Sequence, residues 1–237
     1  SDLVEYRPLH PSSFADAEIV LFAISDGAIP QIYRQVQSSI PAETPVFHAS
    51  GALSSELFDH IHRFSLHPLR SLAPAGSPSS GLDGTLLVWE GESSTIEIAQ
   101  TISHIADGEL RAIETTLKPL YHAAAVFGSN YVAASLGAAS ELMEAVGIDG
   151  SESALRELAR SAIDNWISQE GQSKFTGPIA RGETDIIRRH LEALEPFPLH
   201  DESYRVLARL LLEAIAPGSR DSNLQEINRL VHRKRPS

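Results

Sequence analysis

The sequence predicts an α/β domain built on a mostly parallel sheet, followed by an all-helical domain. In the first half, short β-branched and apolar runs alternate with segments of helical periodicity. Strands that alternate with helices of this length need crossover connections, which place the strands parallel to one another. After about residue 115, strand-like runs stop and Ala-rich helical patterns follow. We therefore expect two domains, 1–115 and 116–237.

Five short runs in the first half are expected strands, and they cover residues 19–24, 45–48, 64–67, 85–89 and 110–113. The first is continuously apolar, which is typical of a strand covered on both faces. Helical spacing predicts intervening helices over residues 27–40, 54–61 and 95–105, the second capped by Ser54 or Ser55. Residues 73–84 are rich in Gly, Pro and Ser and are predicted to form a loop.

The second half shows helical periodicity almost throughout. The expected helices cover residues 117–146, 151–168, 184–194, 202–215 and 224–231. Small residues from Ala123 to Ala139 would allow close helix packing, either within a subunit or between subunits. The basic run Arg233-Lys234-Arg235 is interpreted as a solvated tail.

The composition narrows the classes of partner. The 237 residues carry a formal net charge of −12, which disfavours nucleic acid because phosphate backbones are repelled. The sequence has no cysteine, which removes disulfides, cysteine nucleophiles and thiolate metal sites. The longest apolar run is too short to span a bilayer. We expect a cytoplasmic protein with a small-molecule substrate, and neither a membrane nor a nucleic-acid partner.

Ten histidines raise the question of a metal site. No H-x-x-x-H or H-E-x-x-H pattern occurs. His60 and His62 alternate across an expected helix end, so their rings point apart. We expect no metal.

Polar residues follow the expected strands at the ends where parallel sheets bind ligands. Ser25 and Asp26 follow the first strand, and His48, Ser50 and Gly51 end and follow the second. Because a glycine allows close approach of the backbone, this group is the candidate cofactor contact. The alternatives are that Asp26 caps the next helix and that Gly51 only shapes a turn.

His67 ends the third strand and precedes Pro68, which fixes the turn. In that position His67 could be aimed into the same cleft as a substrate-binding residue. The alternative is a strand-end histidine bonded to local backbone.

Five motifs in order carry a resemblance to a known family. They are His48-Ala-Ser-Gly-Ala-Leu53, Ser65-Leu-His-Pro-Leu69, Lys118-Pro-Leu-Tyr-His-Ala-Ala-Ala125, Ser129-Asn-Tyr131 and Thr176-Gly-Pro-Ile-Ala-Arg-Gly182. Together they resemble the Rossmann-like oxidoreductases that carry a C-terminal helical domain of unknown function. That family sits in the 6-phosphogluconate dehydrogenase-like group, beside pyrroline-5-carboxylate reductase and ketopantoate reductase. The resemblance implies an N-terminal NAD(P)-binding domain and a helical domain that forms homodimers.

The sequence departs from this pattern at its start. A glycine-rich G-x-G-x-x-G turn normally follows the first strand of a dinucleotide fold, and none occurs here. In the common strand order the first strand lies beside the fourth, so residues 19–24, read as that fourth strand, would have an uncovered edge. We expect upstream residues to supply the strand and the turn. The alternatives are cover by another segment or subunit, or a different strand assignment.

Lys118, His122 and Asn130 are the candidate catalytic residues. Lys118 and His122 are i, i+4 neighbours on one expected helix. At 3.6 residues per turn, Asn130 on the same helix is turned by about 80° from His122 around the helix axis. A proton donor and oxyanion-binding groups are what carbonyl reduction needs. Lys118 and Asn130 are similar to a Lys–Asn pair in related dehydrogenases, although their spacing is longer. The alternative is a solvated lysine, an interior histidine and a packing amide.

Tyr121, on the same expected helix, is a candidate substrate contact. The glycine- and proline-containing segment 176–182 reads as a shaped loop and adds Thr176 and Arg181. Arg181 could bind a carboxylate or phosphate bidentately, or could instead pair with Glu183 or Asp185.

These features predict an NAD(P)-dependent oxidoreductase that transfers hydride to or from a small carbonyl, imine, hydroxy or amino acid, with NADP slightly favoured over NAD. The alternative is a non-catalytic nucleotide- or metabolite-binding regulatory protein that keeps the dehydrogenase fold. The absent glycine turn is the main support for that alternative.

Overall fold

The structure, a computed structural model, describes residues 10–71 and 81–233. Residues 73–80 of the expected loop, and Lys234 and Arg235 of the expected tail, lie outside the described residues. By its internal contacts the chain divides into two compact units, 1–131 and 132–237. This division falls after the first helix that follows residue 115, so the expected domain boundary at 115 stays a prediction.

The first unit is built on a five-stranded sheet in the order β1-β2-β3-β4-β5. The strands are β1 Val20–Phe22, β2 Val46–His48, β3 Arg63–Pro68, β4 Leu86–Gly91 and β5 Glu109–Ala112. Strands β1, β2 and β3 are parallel, as are β4 and β5, whereas β3 and β4 are antiparallel. The expected five strands and the mostly parallel sheet are confirmed, with one antiparallel pair that the sequence did not reveal.

Strand β1 ends the sheet and pairs only with β2 in the part of the chain described. Val20 and Phe22 point into the core, whereas Leu21 between them is 48% exposed and Ile24 just beyond the strand is also exposed. One face of β1 is therefore open. The continuous apolar run had predicted a strand that is covered on both faces, so this prediction differs from the structure. The free edge expected at residues 19–24 is present among the described residues.

Helix α1, Ile29–Val36, covers the inner face of β1. Pro30 lies in its first turn, where the missing N–H costs nothing, and Ile29, Tyr33 and Val36 are buried at helical spacing. Tyr33 and Phe58 pack edge to face with ring centroids 4.8 Å apart. Helix α2, Ile96–Ile105, is the helix predicted over residues 95–105, and it packs against β4 and β5.

The helix predicted over residues 54–61 is wrong. Ser54 caps as expected, its side chain accepting a hydrogen bond from the Glu56 N–H at 3.1 Å, but only one 3-10 turn follows, Ser55–Leu57. The chain then becomes extended at Phe58, which is fully buried among β1 and α1 residues. Burial of this ring overrides the local helical preference.

The remaining helices are α3 Lys118–Gly128, α4 Asn130–Ala145, α5 Glu152–Ser168, α6 Thr184–Ala193, α7 Pro198–Ile215 and α8 Ser222–His232. They confirm the expected all-helical second half. Helices α6, α7 and α8 share a core that includes Ile187, Leu212 and Ile227. Within residues 10–71 and 81–233, no helix combines the length and the apolar character needed to cross a bilayer.

Candidate functional site

The candidate site lies where the parallel strands β1, β2 and β3 end. Phe22 is in register with His48, and His48 with Ser65, so β1 and β2 end level with each other, and β3 runs on past them to Pro68 in the same direction. The carboxyl edge of a parallel sheet is the usual place for a ligand. The residues at this edge that are described in the next paragraphs, from Asp26 to His122, all belong to the first unit.

The turns that follow β1 and β2 are joined by a hydrogen bond. Ser50 Oγ donates to Asp26 Oδ2 at 2.8 Å and accepts from the backbone N–H groups of Ala52 and Leu53, at 3.1 and 3.0 Å. Asp26 does not cap the following turn, whose N-cap is Ser25 with no side-chain bond. Ser25 and Asp26 are both exposed, so they line an accessible part of this edge.

Gly51 is a position where only hydrogen fits. A Cβ atom there would lie 2.7 Å from His122 Nδ1 and 2.8 Å from both Cε1 and Nε2 of His67. These distances are shorter than van der Waals contact. The glycine therefore allows two imidazole rings, one from β3 and one from α3, to approach the backbone.

His67 also contacts Tyr121 of α3. Its Nδ1 lies 2.6 Å from the Tyr121 hydroxyl, and the two rings meet edge to face with centroids 5.6 Å apart. Burial, and then the electrostatic effects of His122 and Lys118, lower the pKa of His67 to about 4. Burial raises the pKa of Tyr121 to about 12. Near pH 7 the pair is thus a neutral imidazole and an intact phenol, both partly exposed.

Beneath this cluster lies a buried ion pair. Lys118 Nζ is 3.0 Å from Glu90 Oε1, and the two residues are 2% and 1% exposed. Lys118 also donates to Ser65 Oγ. Burial lowers the pKa of Lys118, although the Glu90 charge opposes this shift. Burial alone would raise the pKa of Glu90, but the charge and hydrogen bond of Lys118 hold it below its usual value.

Other donors complete the coordination of the Glu90 carboxylate. The N–H of Ser55 donates to Oε1 at 2.8 Å, and Ser55 Oγ and Thr115 Oγ1 donate to Oε2 at 2.8 and 3.1 Å. A buried charge with this many donors is held in one position. Sequence reasoning missed Glu90, although an acidic residue directly after the apolar run 85–89 is an available signal.

His48 is the third histidine of this edge, and it is completely buried. Its Nδ1 accepts a hydrogen bond from the Ser50 N–H at 3.2 Å, which assigns its proton to Nε2. Burial, and then the charge of Lys118, lowers the pKa of His48 to about 4. His48 therefore orders the turn that presents Ser50 and Gly51.

Asn130 does not share a helix with Lys118 and His122. Helix α3 ends at Gly128, the Ser129 backbone leaves helical geometry, and Asn130 begins α4. Asn130 is exposed, and its Oδ1 accepts from Ser129 Oγ at 3.0 Å. The single helix that the sequence predicted for all three residues is therefore wrong, because the helix is interrupted at Ser129.

Thr176 and Arg181 belong to the second unit. Both are exposed, and Arg181 pairs bidentately with Glu183 at 2.8 and 2.9 Å, which is the salt bridge that the sequence offered as the alternative. Their assignment to substrate binding stays a prediction.

The cluster leaves polar atoms available to a ligand at this edge of the sheet. The exposed Asp26 carboxylate can accept hydrogen bonds from a ligand, whereas the Ser50 hydroxyl is buried and already bonded to Asp26, Ala52 and Leu53. His122 Nδ1 is buried without a hydrogen-bond partner among the described residues. Such an atom is expected to find a partner when a ligand is bound. The pyrophosphate needs a glycine-rich turn, and the sequence contains none.

Comparison with known proteins gives a family and a set of similar folds. A family model described as a domain of unknown function, DUF2520, matches residues 85–211. No curated protein matches the chain.

Three solved structures illustrate the likeness. Protein TM1727 from Thermotoga maritima is 25% identical, with a TM-score of 0.73, over 84% of this chain and 78% of that one. BF3122 from Bacteroides fragilis, provisionally named an NADP oxidoreductase, is 16% identical with a TM-score of 0.69 over the same shares. An imine reductase from Myxococcus stipitatus in complex with NADP⁺ is 12% identical, with a TM-score of 0.56, over 92% and 82%. These likenesses confirm the predicted fold class.

Proposed function

The chain belongs to the family of the domain of unknown function DUF2520, and from this premise we propose that it is an NAD(P)-dependent oxidoreductase that reduces a small carbonyl or imine compound. One observation carries the proposal: a neutral imidazole and an intact phenol meet at the carboxyl edge of the parallel sheet. A proton donor at a ligand-binding edge is what reduction of a C=O or C=N bond requires of the protein.

The reduced nicotinamide would supply the hydride. The residues of this chain would bind and orient it: Ser25 and Asp26 after β1, and the His48–Gly51 turn after β2. We favour NADP(H) over NAD(H), since the similar structures include an imine reductase with NADP⁺ bound.

Calorimetric titration of the full-length protein with NADPH and NADH tests this function. We expect saturable binding of at least one of them, because the strand-end residues offer a formed surface for the nicotinamide ribose. Asp26→Ala should weaken binding by about 1 kcal/mol or more, the order of a lost hydrogen bond to a charged group. Asp83→Ala, a loop carboxylate before β4, is the matched control. Absence of heat and of any thermal shift at millimolar cofactor would remove the oxidoreductase proposal.

We further propose that the protein is a homodimer whose interface includes α4 and α5. Helix α4 has no buried residue in the isolated chain, and α5 buries only Leu155. The two helices and their connection expose large apolar side chains, namely Val146, Ile148, Leu158, Ile163, Trp166 and Ile167. Apolar surface of this kind usually marks an interface.

Light scattering coupled to size exclusion tests the dimer. The wild type should elute with twice the chain mass, and Ile167→Lys should shift it to the monomer because a charge is then buried in the interface. Glu157→Lys, an exposed charge on the same helix, is the control for charge alone. A monomeric wild type at micromolar concentration would contradict the proposal.

A further inference from the structure

Lys118 is poorly placed to give a proton to a substrate. It is 2% exposed, and its ammonium group is engaged by Glu90 and Ser65. Reaching a ligand would mean breaking a buried ion pair and leaving Glu90 uncompensated, which is costly. The lysine therefore acts on the site through its charge, which helps to keep His48 and His67 neutral.

Tyr121 has the opposite properties. Its side chain is partly exposed, and its hydroxyl lies 2.6 Å from His67 Nδ1. If His67 Nδ1–H donates to the Tyr121 oxygen, the phenol proton is free to point at a ligand. A phenolate formed there would keep that hydrogen bond, and a bond to a charged acceptor is stronger than one to a neutral acceptor.

The orientation of His67 is fixed from its other side. Its Nε2 and His122 Nδ1 both lie within 3 Å of the position that a Cβ atom at residue 51 would occupy. The two imidazole rings stand nearly perpendicular, with an angle of 78° between their planes. This packing leaves the ring of His67 little freedom to turn away from Tyr121.

We propose that Tyr121 is the proton donor of the reaction and that His67 is its positioning residue, an assignment that rests on the proposed oxidoreductase function. In the reduction, the Tyr121 O–H bond would break and its proton would form the new O–H or N–H bond on the substrate. The substrate carbon would take up the hydride that a bound reduced nicotinamide would supply. The phenolate is held by His67 Nδ1–H and regains a proton from water after the product leaves.

The second unit contains a natural control. Tyr204 pairs with His190 in a similar arrangement, with a 3.0 Å contact to Nδ1 and ring centroids 5.8 Å apart. Tyr121→Phe and Tyr204→Phe each remove one hydroxyl from a tyrosine–histidine pair, so they are matched in local chemistry. NADPH affinity and thermal unfolding are measured beside NADPH consumption with pyrroline, a simple cyclic imine, and with pyruvate, a simple ketone.

We expect Tyr121→Phe to lower kcat by roughly 100-fold or more, the usual range for a general acid, with unchanged NADPH affinity and unfolding temperature. Tyr204→Phe should leave kcat within about twofold of the wild type, since it lacks a role in proton transfer. His67→Ala should lower kcat, and His67→Asn should recover part of it, because an Asn amide N–H can take the place of Nδ1–H. A purely structural role for His67 would not distinguish Asn from Ala in kcat at equal stability.

The outcomes separate the two proposals. If the wild type turns over either compound and Tyr121→Phe keeps more than half of that rate, the donor assignment is overturned and the oxidoreductase function stands. If the wild type binds NADPH but consumes neither compound, the substrate class and the donor assignment both fall while cofactor binding stands. If the wild type binds neither NADPH nor NADH, the function and the donor assignment fall together.

Discussion

Lys118→Met should lower the free energy of unfolding by about 3–5 kcal/mol, the usual cost of removing one partner from a buried ion pair. Glu90 is 1% exposed and would keep its negative charge in the core with only hydroxyl and amide donors from Ser55 and Thr115. Urea unfolding at pH 7, followed by circular dichroism, measures the loss. Because the effect is on the fold, inactivity of a Lys118 variant would not by itself show a role in catalysis.

The double variant Lys118→Met/Glu90→Gln provides the control. Replacing both charges removes the uncompensated carboxylate, so most of the stability lost in Lys118→Met should return. Arg181→Ala, which breaks an exposed ion pair with Glu183, should leave the unfolding transition where it is. Additive losses in the double variant would mean that Lys118 and Glu90 do not stabilise the fold as a pair.

Gly51→Ala should abolish most of the activity of the protein while leaving it folded. The new methyl group would meet His122 Nδ1 at 2.7 Å and His67 Nε2 at 2.8 Å, so both imidazoles must move. Displacing His67 breaks its 2.6 Å contact with Tyr121, and a misplacement of about 1 Å at a reacting group costs roughly 100-fold in rate. Overpacking of this kind also costs about 1–3 kcal/mol of stability.

Gly128→Ala is the matched control for this substitution. It lies near the end of α3, and a Cβ there would meet nothing within 4 Å. An alanine in a helix is favoured over glycine, so stability should be unchanged or slightly raised and kcat unaffected. Comparing kcat with unfolding temperature for the two variants separates displacement of the imidazoles from a general effect of the methyl group. A Gly51→Ala protein with wild-type kcat would show that the His67 orientation does not matter.

The strands and most helices could be predicted from the sequence because their signals are local. The runs at 19–24 and 64–67 are β-rich and bounded by turn residues, and the periodicity after residue 117 is helical. The antiparallel pairing of β3 with β4 depends on the direction in which the chain re-enters the sheet after the connection between these two strands. The pattern of apolar residues within each strand does not encode that direction. The helix expected at 54–61 failed because Phe58 is buried against Tyr33 and Phe22, a tertiary effect.

The site was predictable where chemistry follows strand ends. Asp26, Ser50, Gly51 and His67 were found because parallel strands bring their carboxyl ends together. Burial of Lys118 was not predictable, because its partner Glu90 is 28 residues away in sequence. The place of Asn130 was missed because no stronger helix breaker than Gly128 and Ser129 occurs at the point where the helix is interrupted.

Transfer of deuterium from C4-deuterated NADPH to pyrroline tests the central claim most directly. If the full-length protein is an oxidoreductase of the proposed kind, label on one face of the nicotinamide should give a product amine with one carbon-bound deuterium. Label on the other face should give an amine without deuterium, and mass spectrometry distinguishes the two products. The same experiment with Tyr121→Phe should give the same label at a much lower rate, because Tyr121 supplies only the proton. Product that forms without deuterium from either labelled face, or no product from protein that is folded and saturated with NADPH, would contradict hydride transfer to this class of substrate.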